Sequence, residues 1–328
     1  MHIEVFTKGC QLPELAVGSV LQSAPIFRAI EGNRHCKPYM LVAYDGNGEE
    51  LGHLIVIRYS RFTILPPFVK SRYIINGDGV YSSRCTDREA VFAKFIEKIL
   101  KIAEFHHVYI KAHNIDDSRF AYGTLSSNGF VPMRDRRLYI SLHSKPPQER
   151  LSRAYKAHIR KAEKMGVTHH RATTGNDIAA GLSLLRNYYI SKTRRTLPDE
   201  KTIKAMLYNQ DGSLSETAKL FIVTYKGKTI GSSLCIYDKE RAYLTYSCGL
   251  RKSYPLQYPG IMAIWAALTD AYQNGYPHFD FLEARGLSNI HYSFLSTLSN
   301  YGSKQVGTFR WYRYRWNWIN KILRAIYV

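Results

Sequence analysis

The sequence predicts an α+β protein organised as two successive halves. Three observations carry that reading. Strand-like and helix-like apolar patterns alternate in both halves, a Pro146-Pro147 pair separates them, and positive charge rises sharply from the first half to the second. The 328 residues exceed the ~100–200 of an ordinary domain, so two domains are expected, 1–147 and 148–328. A content of 45% hydrophobic and 22% charged residues excludes a disordered or fibrous chain.

In the first half, Tyr39–Tyr44 and Leu51–Ile57 flank Asp45-Gly46-Asn47-Gly48, a hairpin signal because Gly and Asn tolerate positive φ. Thr86-Asp87-Arg88-Glu89 reads as a capping box opening a helix to about Phe105, with Val91, Phe92, Phe95, Ile96 and Ile99 at helical spacing. Val108–Ala112 and Leu138–Leu142 read as strands. In the second half, Gln148–Met165 predicts a basic amphipathic helix stopped by Gly166. Helices follow around Leu182–Tyr189 and from Leu197-Pro198-Asp199-Glu200. Lys219–Tyr225, Thr229–Tyr237 and Ala242–Leu250 then form a predicted antiparallel meander. Pro259-Gly260 opens a long helix that stops near Gly275, and Phe279-Asp280-Phe281-Leu282 is a buried-type strand.

Charge and cysteine usage bound the function. Forty-six Lys and Arg against 26 Asp and Glu give a net +20, of which residues 149–328 carry +15. Such a field attracts polyanions, whether phosphate-bearing substrates, nucleic acid or an anionic membrane. Apolar runs fall far short of the ~18–20 residues that span a bilayer. Met1–Phe6 shows no secretory pattern, and five scattered cysteines suit a reducing cytoplasm without structural zinc.

The order of these segments resembles the Fem-type peptidoglycan interpeptide-bridge aminoacyltransferases, which are tandem acetyltransferase-like (GNAT) domains. Arg153-Ala-Tyr-Lys-Ala-His-Ile-Arg160-Lys161-Ala162-Glu-Lys-Met-Gly166-Val167 carries the resemblance most clearly, being close to the family's basic helix. Leu125–Phe130, Tyr139–Leu142, Tyr258-Pro259-Gly260, Gly275, Phe279-Asp280-Phe281 and Asn300–Lys304 add to it in matching order. The sequence departs from the pattern in three places. No long helical-hairpin arm follows the basic helix, Ser293-Phe294-Leu295 stands where a Phe-Lys pair would, and Arg251–Gly260 holds one glycine in place of the acetyltransferase pyrophosphate loop.

The resemblance implies an amide-forming acyl or aminoacyltransferase, moving an aminoacyl group from aminoacyl-tRNA to an amine of a peptidoglycan precursor. The same fold also serves acyl-CoA-dependent N-acyltransferases, so the donor, a co-substrate rather than a bound cofactor, stays open between the two. No metal is expected. Asp280 and Glu283 are the acids available as general base, and Tyr246 is a candidate oxyanion donor. Three apart on a strand, the two acids face opposite sides, so at most one serves the cleft. Lys156 and Arg160, with Arg285 in support, are the candidate grip on an acceptor diphosphate, and Ser247 and Tyr258 are further substrate contacts. Gly260 and Ile261 open a helix whose amides suit an anion.

The C-terminal segment from Phe309 interleaves aromatics with cations, strand-like to Trp316 and amphipathic-helical over 317–327. It reads as a core strand with a docking helix, as a peripheral anchor at the inner membrane surface, or as a stacking platform for nucleic acid such as tRNA. A non-catalytic nucleic-acid-binding protein is the alternative from another class. It accounts for the charge but not for the strand–Pro-Gly–helix order.

Overall fold

The computed structural model describes residues 1–33, 35–62, 69–103, 107–114, 119–193, 197–282 and 297–328. They gather into two compact units, Met1–Arg136 with Gly307–Val328, and Arg137–Val306. The expected break at 147/148 lies within the second unit. The aromatic C-terminus, expected with the second half, belongs to the first.

The first unit contains β1 (His2–Phe6), α1 (Ala24–Glu31), β2 (Cys36–Tyr44), β3 (Glu50–Phe62), β4 (Val69–Asn76), β5 (Val80–Tyr81), α2 (Arg88–Ile102), β6 (His107–His113), α3 (Tyr122–Ser127) and the start of β7 (Val131–Ser141). Its sheet runs β1-β2-β3-β4-β6 and then the C-terminal strand β13 (Lys304–Tyr314). All these ladders are antiparallel except β4–β6. The Asp45-Gly46-Asn47-Gly48 turn joins β2 to β3 as the sequence predicts, with Gly48 at φ +81. One shift from expectation occurs at α2. Its cap is Asp87, which accepts from the Ala90 N–H at 2.9 Å, rather than Thr86.

Phe92, Phe95, Ile96 and Ile99 of α2 pack on Leu41, Val56, Tyr73 and Ile110 of the sheet. Trp311 of β13 completes this core, fully buried, its indole N–H donating to Asn114 Oδ1 at 2.7 Å. Burying an indole with its N–H satisfied is the reason the C-terminal strand joins this unit. The helix α9 (Asn317–Tyr327) closes the chain.

The second unit holds α4 (Pro147–Arg150), α5 (Arg153–Lys164), β8 (Thr168–Arg171), α6 (Gly175–Tyr188), α7 (Glu200–Leu207), β9 (Ala218–Tyr225), β10 (Lys228–Tyr237), β11 (Arg241–Gly249), α8 (Pro259–Gln273) and β12 (His278–Phe281). Its sheet order is β7-β12-β11-β10-β9-β8, antiparallel except for β11–β12. The predicted helix 148–165 is two helices. Leu151 and Ser152 are extended, and Ser152 Oγ caps α5 by accepting from the Tyr155 N–H at 3.2 Å. Gly166 ends α5 at φ +84, as its lack of a Cβ allows. Helix α8, apolar nearly all round, is buried against α5 and the sheet, while α6 and α7 cover a second apolar cluster.

Candidate active site

The site is built where two strands part. Parallel pairing of β11 with β12 covers four positions, from Arg241↔His278 to Leu244↔Phe281. Strand β11 then runs five residues further, to Gly249, beside β10. Among the described residues no strand flanks its other side there. At the parting point the β10–β11 register slips, with Leu234 opposite Tyr246 and Cys235 opposite Leu244. Thr245 is the extra residue of this bulge, and its Oγ1 donates to the Leu234 carbonyl at 2.8 Å.

The bulge sets which backbone groups face the opening. Because the Leu250 N–H bonds the Ile230 carbonyl at 2.9 Å, the ladder phase turns the N–H and C=O of Ser247 away from β10. Tyr189 meets both. Its hydroxyl accepts from the Ser247 N–H at 3.3 Å and donates to the Ser247 carbonyl at 3.4 Å. Tyr189 is fully buried in a π-helical turn, Tyr189–Thr193, that continues α6. Tyr246 is half-buried, edge-to-face with Tyr189 at 5.3 Å, in the cluster under α6. Cys248 is buried in that cluster as well.

The start of α8 lies at the end of β11. A Cβ on Gly249 would fall 2.3 Å from the Gly260 nitrogen, so the two backbones touch and only glycine fits. Tyr258 precedes the helix in left-handed conformation, φ 47 and ψ 47, and no side chain caps the first turn, which also holds no acid. The Met262 N–H bonds the Tyr258 carbonyl at 3.0 Å. That leaves the Gly260 and Ile261 amides as the open donors of a positive helix end. Tyr258 also stacks on His158 of α5, ring centroids 4.1 Å apart and 18° from parallel.

That stack reorders the basic helix. Tyr155, Ile159 and Ala162 face the core, and His158 occupies the flank that meets Tyr258. Lys156 and Arg160 stand two residues either side of His158, about 160° around the helix. Lys156 is half-buried and Arg160 exposed. Among the described residues no carboxylate pairs with either, so both offer free charge on the other flank.

Asp280 sits on β12 opposite Tyr243 and is fully buried. Arg137 grips it through Nε–Oδ1 at 2.5 Å and Nη2–Oδ2 at 2.9 Å, and Arg241 approaches Oδ2 at 3.4 Å. Two guanidiniums on one dry carboxylate form a forked anchor tying β7, β11 and β12 together. Beside it, burial holds the His278 imidazole below its ordinary range, against the pull of Asp280. Glu283 and Arg285 lie outside the described residues, as do Arg194, Arg195 and Ser293-Phe294-Leu295.

The structure thus brings Ser247, Tyr258, Gly260 and Ile261 together at one spot and places Asp280 beneath the parting strands. It adds Tyr189 and His158, which the sequence reading missed. Tyr189 is separated from Ser247 by 58 positions, and nothing local in Tyr188-Tyr189 distinguishes a strand-edge hydroxyl from a core ring. No group of His, Cys, Asp or Glu among the described residues could hold a metal.

Comparison with known proteins fits this geometry. Residues 149–289, which span the parting strands and α8, match the family model of the acetyltransferase (GNAT) domain. No curated protein matches the sequence. Among solved structures, FemX superposes with a TM-score of 0.65 at 12% identity, covering 95% of each chain. The C-terminal domain of a putative lysylphosphatidylglycerol synthetase from Agrobacterium fabrum gives 0.56 at 11% identity, over 93% of this chain and 91% of that one. A tandem GNAT protein from the clavulanic acid biosynthesis pathway gives 0.55 at 11%, over 95% and 98%. The matched stretch, within the second unit, is thus similar to an acetyltransferase (GNAT) domain. The likeness to Fem-type proteins read from the sequence holds at the level of the fold, which this chain shares with FemX.

Proposed function

We propose that the chain transfers an aminoacyl group from aminoacyl-tRNA to an amine of a peptidoglycan precursor, at the opening beside β11. The observation that carries acyl transfer is the conjunction of a bulged strand losing its parallel neighbour with an uncapped helix start against its end. The amine attacks the donor carbonyl, a C–N bond forms, the ester C–O bond breaks, and one proton leaves the nitrogen. Backbone donors near the end of β11 would receive the developing oxyanion. The Gly260 and Ile261 amides would hold an anionic group of a substrate.

For the proton, Asp280 is poorly placed, since both of its oxygens are held by arginines. Glu283 keeps the base role in this proposal. The charge of the second half favours a polyanionic donor, and the free cations Lys156 and Arg160 suit a phosphate-bearing acceptor.

A second reading, an acyl-CoA donor, is favoured by the anion-ready start of α8. A pantetheine arm adding as a strand on β11 would have to displace the Tyr189 hydroxyl from Ser247, which argues for the first reading. The decisive experiment offers charged tRNA pools and acyl-CoAs separately, each with a muropeptide precursor, and detects the amide by mass spectrometry. Product with charged tRNA alone is expected. Product with acyl-CoA alone transfers the assignment to the second reading, and no product with either donor overturns acyl transfer to this acceptor.

A further inference from the structure

The C-terminal helix leaves a large apolar surface uncovered. Trp318, Ile322 and Ile326 recur every fourth residue of α9 and are 63%, 50% and 65% exposed, forming one apolar stripe on the outside. The side toward the first unit combines half-buried Ile319 and Leu323 with a buried polar residue. Asn320 is buried, accepting from the Tyr314 N–H at 2.8 Å and donating to the Tyr314 carbonyl at 2.7 Å, and Arg324 donates to the Ser126 carbonyl at 3.1 Å. Trp316 and Tyr327, at the two ends of the helix, are exposed as well. An amphipathic helix normally buries the apolar face and leaves the polar one to water. This one packs only Ile319 and Leu323 inward beside its hydrogen-bonded Asn320, and leaves Trp318, Ile322 and Ile326 outside.

We propose that α9 is a membrane-docking element that lies in the surface of an anionic lipid bilayer. Charge complementarity selects this occupant. Residues 309–328 contain five Arg and Lys and no acid, within a chain of net charge +20. Lys321 flanks the stripe at the level where anionic headgroups lie when Trp and Ile enter the acyl boundary. Trp and Tyr at the ends of the stripe are the residues that favour that interface. A second copy of the chain would bring the same cations face to face. Eleven residues at ~1.5 Å each cover roughly 16 Å, about half the ~30 Å hydrocarbon layer, so the helix lies flat rather than crossing. The inference does not depend on the proposed reaction.

The test mixes the full chain with vesicles of phosphatidylcholine containing one-quarter phosphatidylglycerol, and with phosphatidylcholine alone, and measures co-sedimentation. Brominated lipid adds a second readout, because Trp265 and Trp311 are buried and quenching then reports Trp316 and Trp318. Binding to the anionic vesicles is expected, weakened by salt, with tryptophan quenched. The triple variant W318S/I322S/I326S should lower partitioning by ~tenfold or more with the melting temperature unchanged, since it removes only exposed apolar area. The variant K321E should lower it for anionic vesicles alone. Equal sedimentation of the parent and triple variant overturns the proposal. So does a dimer in light scattering, or binding to a single-stranded oligonucleotide, that the triple variant abolishes while neither protein binds vesicles.

Discussion

The two units share a grammar and differ at one place. In the first, the parallel pair β4–β6 stays paired from Ser71↔His107 to Asn76↔His113, and the Gly77 N–H still bonds the His113 carbonyl at 3.0 Å. In the second, the parallel pair β11–β12 covers four positions among the described residues. The helix starts differ in the same sense. Asp87 caps α2 and Glu89 lies in its first turn, whereas α8 has neither a side-chain cap nor an acid. A zipped strand pair and an acid-capped helix leave no edge for a substrate and repel anions. The proposed chemistry accordingly lies in the second unit, with the first as its scaffold.

The largest expected effect breaks the second unit at its anchor. D280N removes the buried charge that Arg137 and Arg241 hold, and should lower stability by ~3–5 kcal/mol in chemical denaturation. Were Asp280 the proton acceptor, the variant would instead melt near the parent temperature and lose kcat, and the anchor assignment would fail. Next, G249A pushes the end of β11 off the start of α8. Displacement near 1 Å at the reacting centre should lower kcat/KM ~10²-fold. Parent-like turnover would show that the junction plays no part in transfer.

A third test concerns the first unit alone. Burial by itself would raise the Asp135 carboxyl, but His113 and Arg310 beside it more than offset this and hold it well below the usual carboxylate range. A carboxyl whose folded pKa is depressed contributes stability that is fully present above its unfolded value of ~3.9 and lost as pH falls through the folded value. D135N should therefore cost about 2–3 kcal/mol at neutral pH, with the gap to the parent closing only below about pH 4. A gap unchanged across that range would refute the ion-pair account, and acyl transfer by the folded variant should stay at the parent level. The smallest effect is D87A. Losing the α2 cap should cost about 1 kcal/mol by thermal melting. A large loss of turnover there would undo the division between a working and a supporting unit.

Much of the fold was legible because its signals are local. The Asp45-Gly46-Asn47-Gly48 turn, the Gly166 stop, the Pro259-Gly260 start and the strand runs along Lys219–Gly249 each specify backbone geometry within a few residues. Smaller local choices were read one residue off, as at Asp87, or joined across a break, as at Ser152, where several polar residues could each serve as the cap. What escaped was set by distant partners. Tyr189 gains its role from Ser247, His158 from Tyr258, and Asp280 from Arg137 at 143 positions' separation. A carboxylate in Phe-Asp-Phe reads alike as base or anchor until the opposing strand is known.

Strand β13 has a consequence for biosynthesis. The second unit is one unbroken stretch, 137–306, whereas the first is assembled from both ends of the sequence. During vectorial synthesis β6 acquires its second neighbour only when residues 310–314 have left the ribosome, and the cavity for Trp311 stays unfilled until then. The unit translated first is thus the one completed last, held open through the synthesis of the other, with a bare strand edge in the interval that a chaperone would have reason to cover.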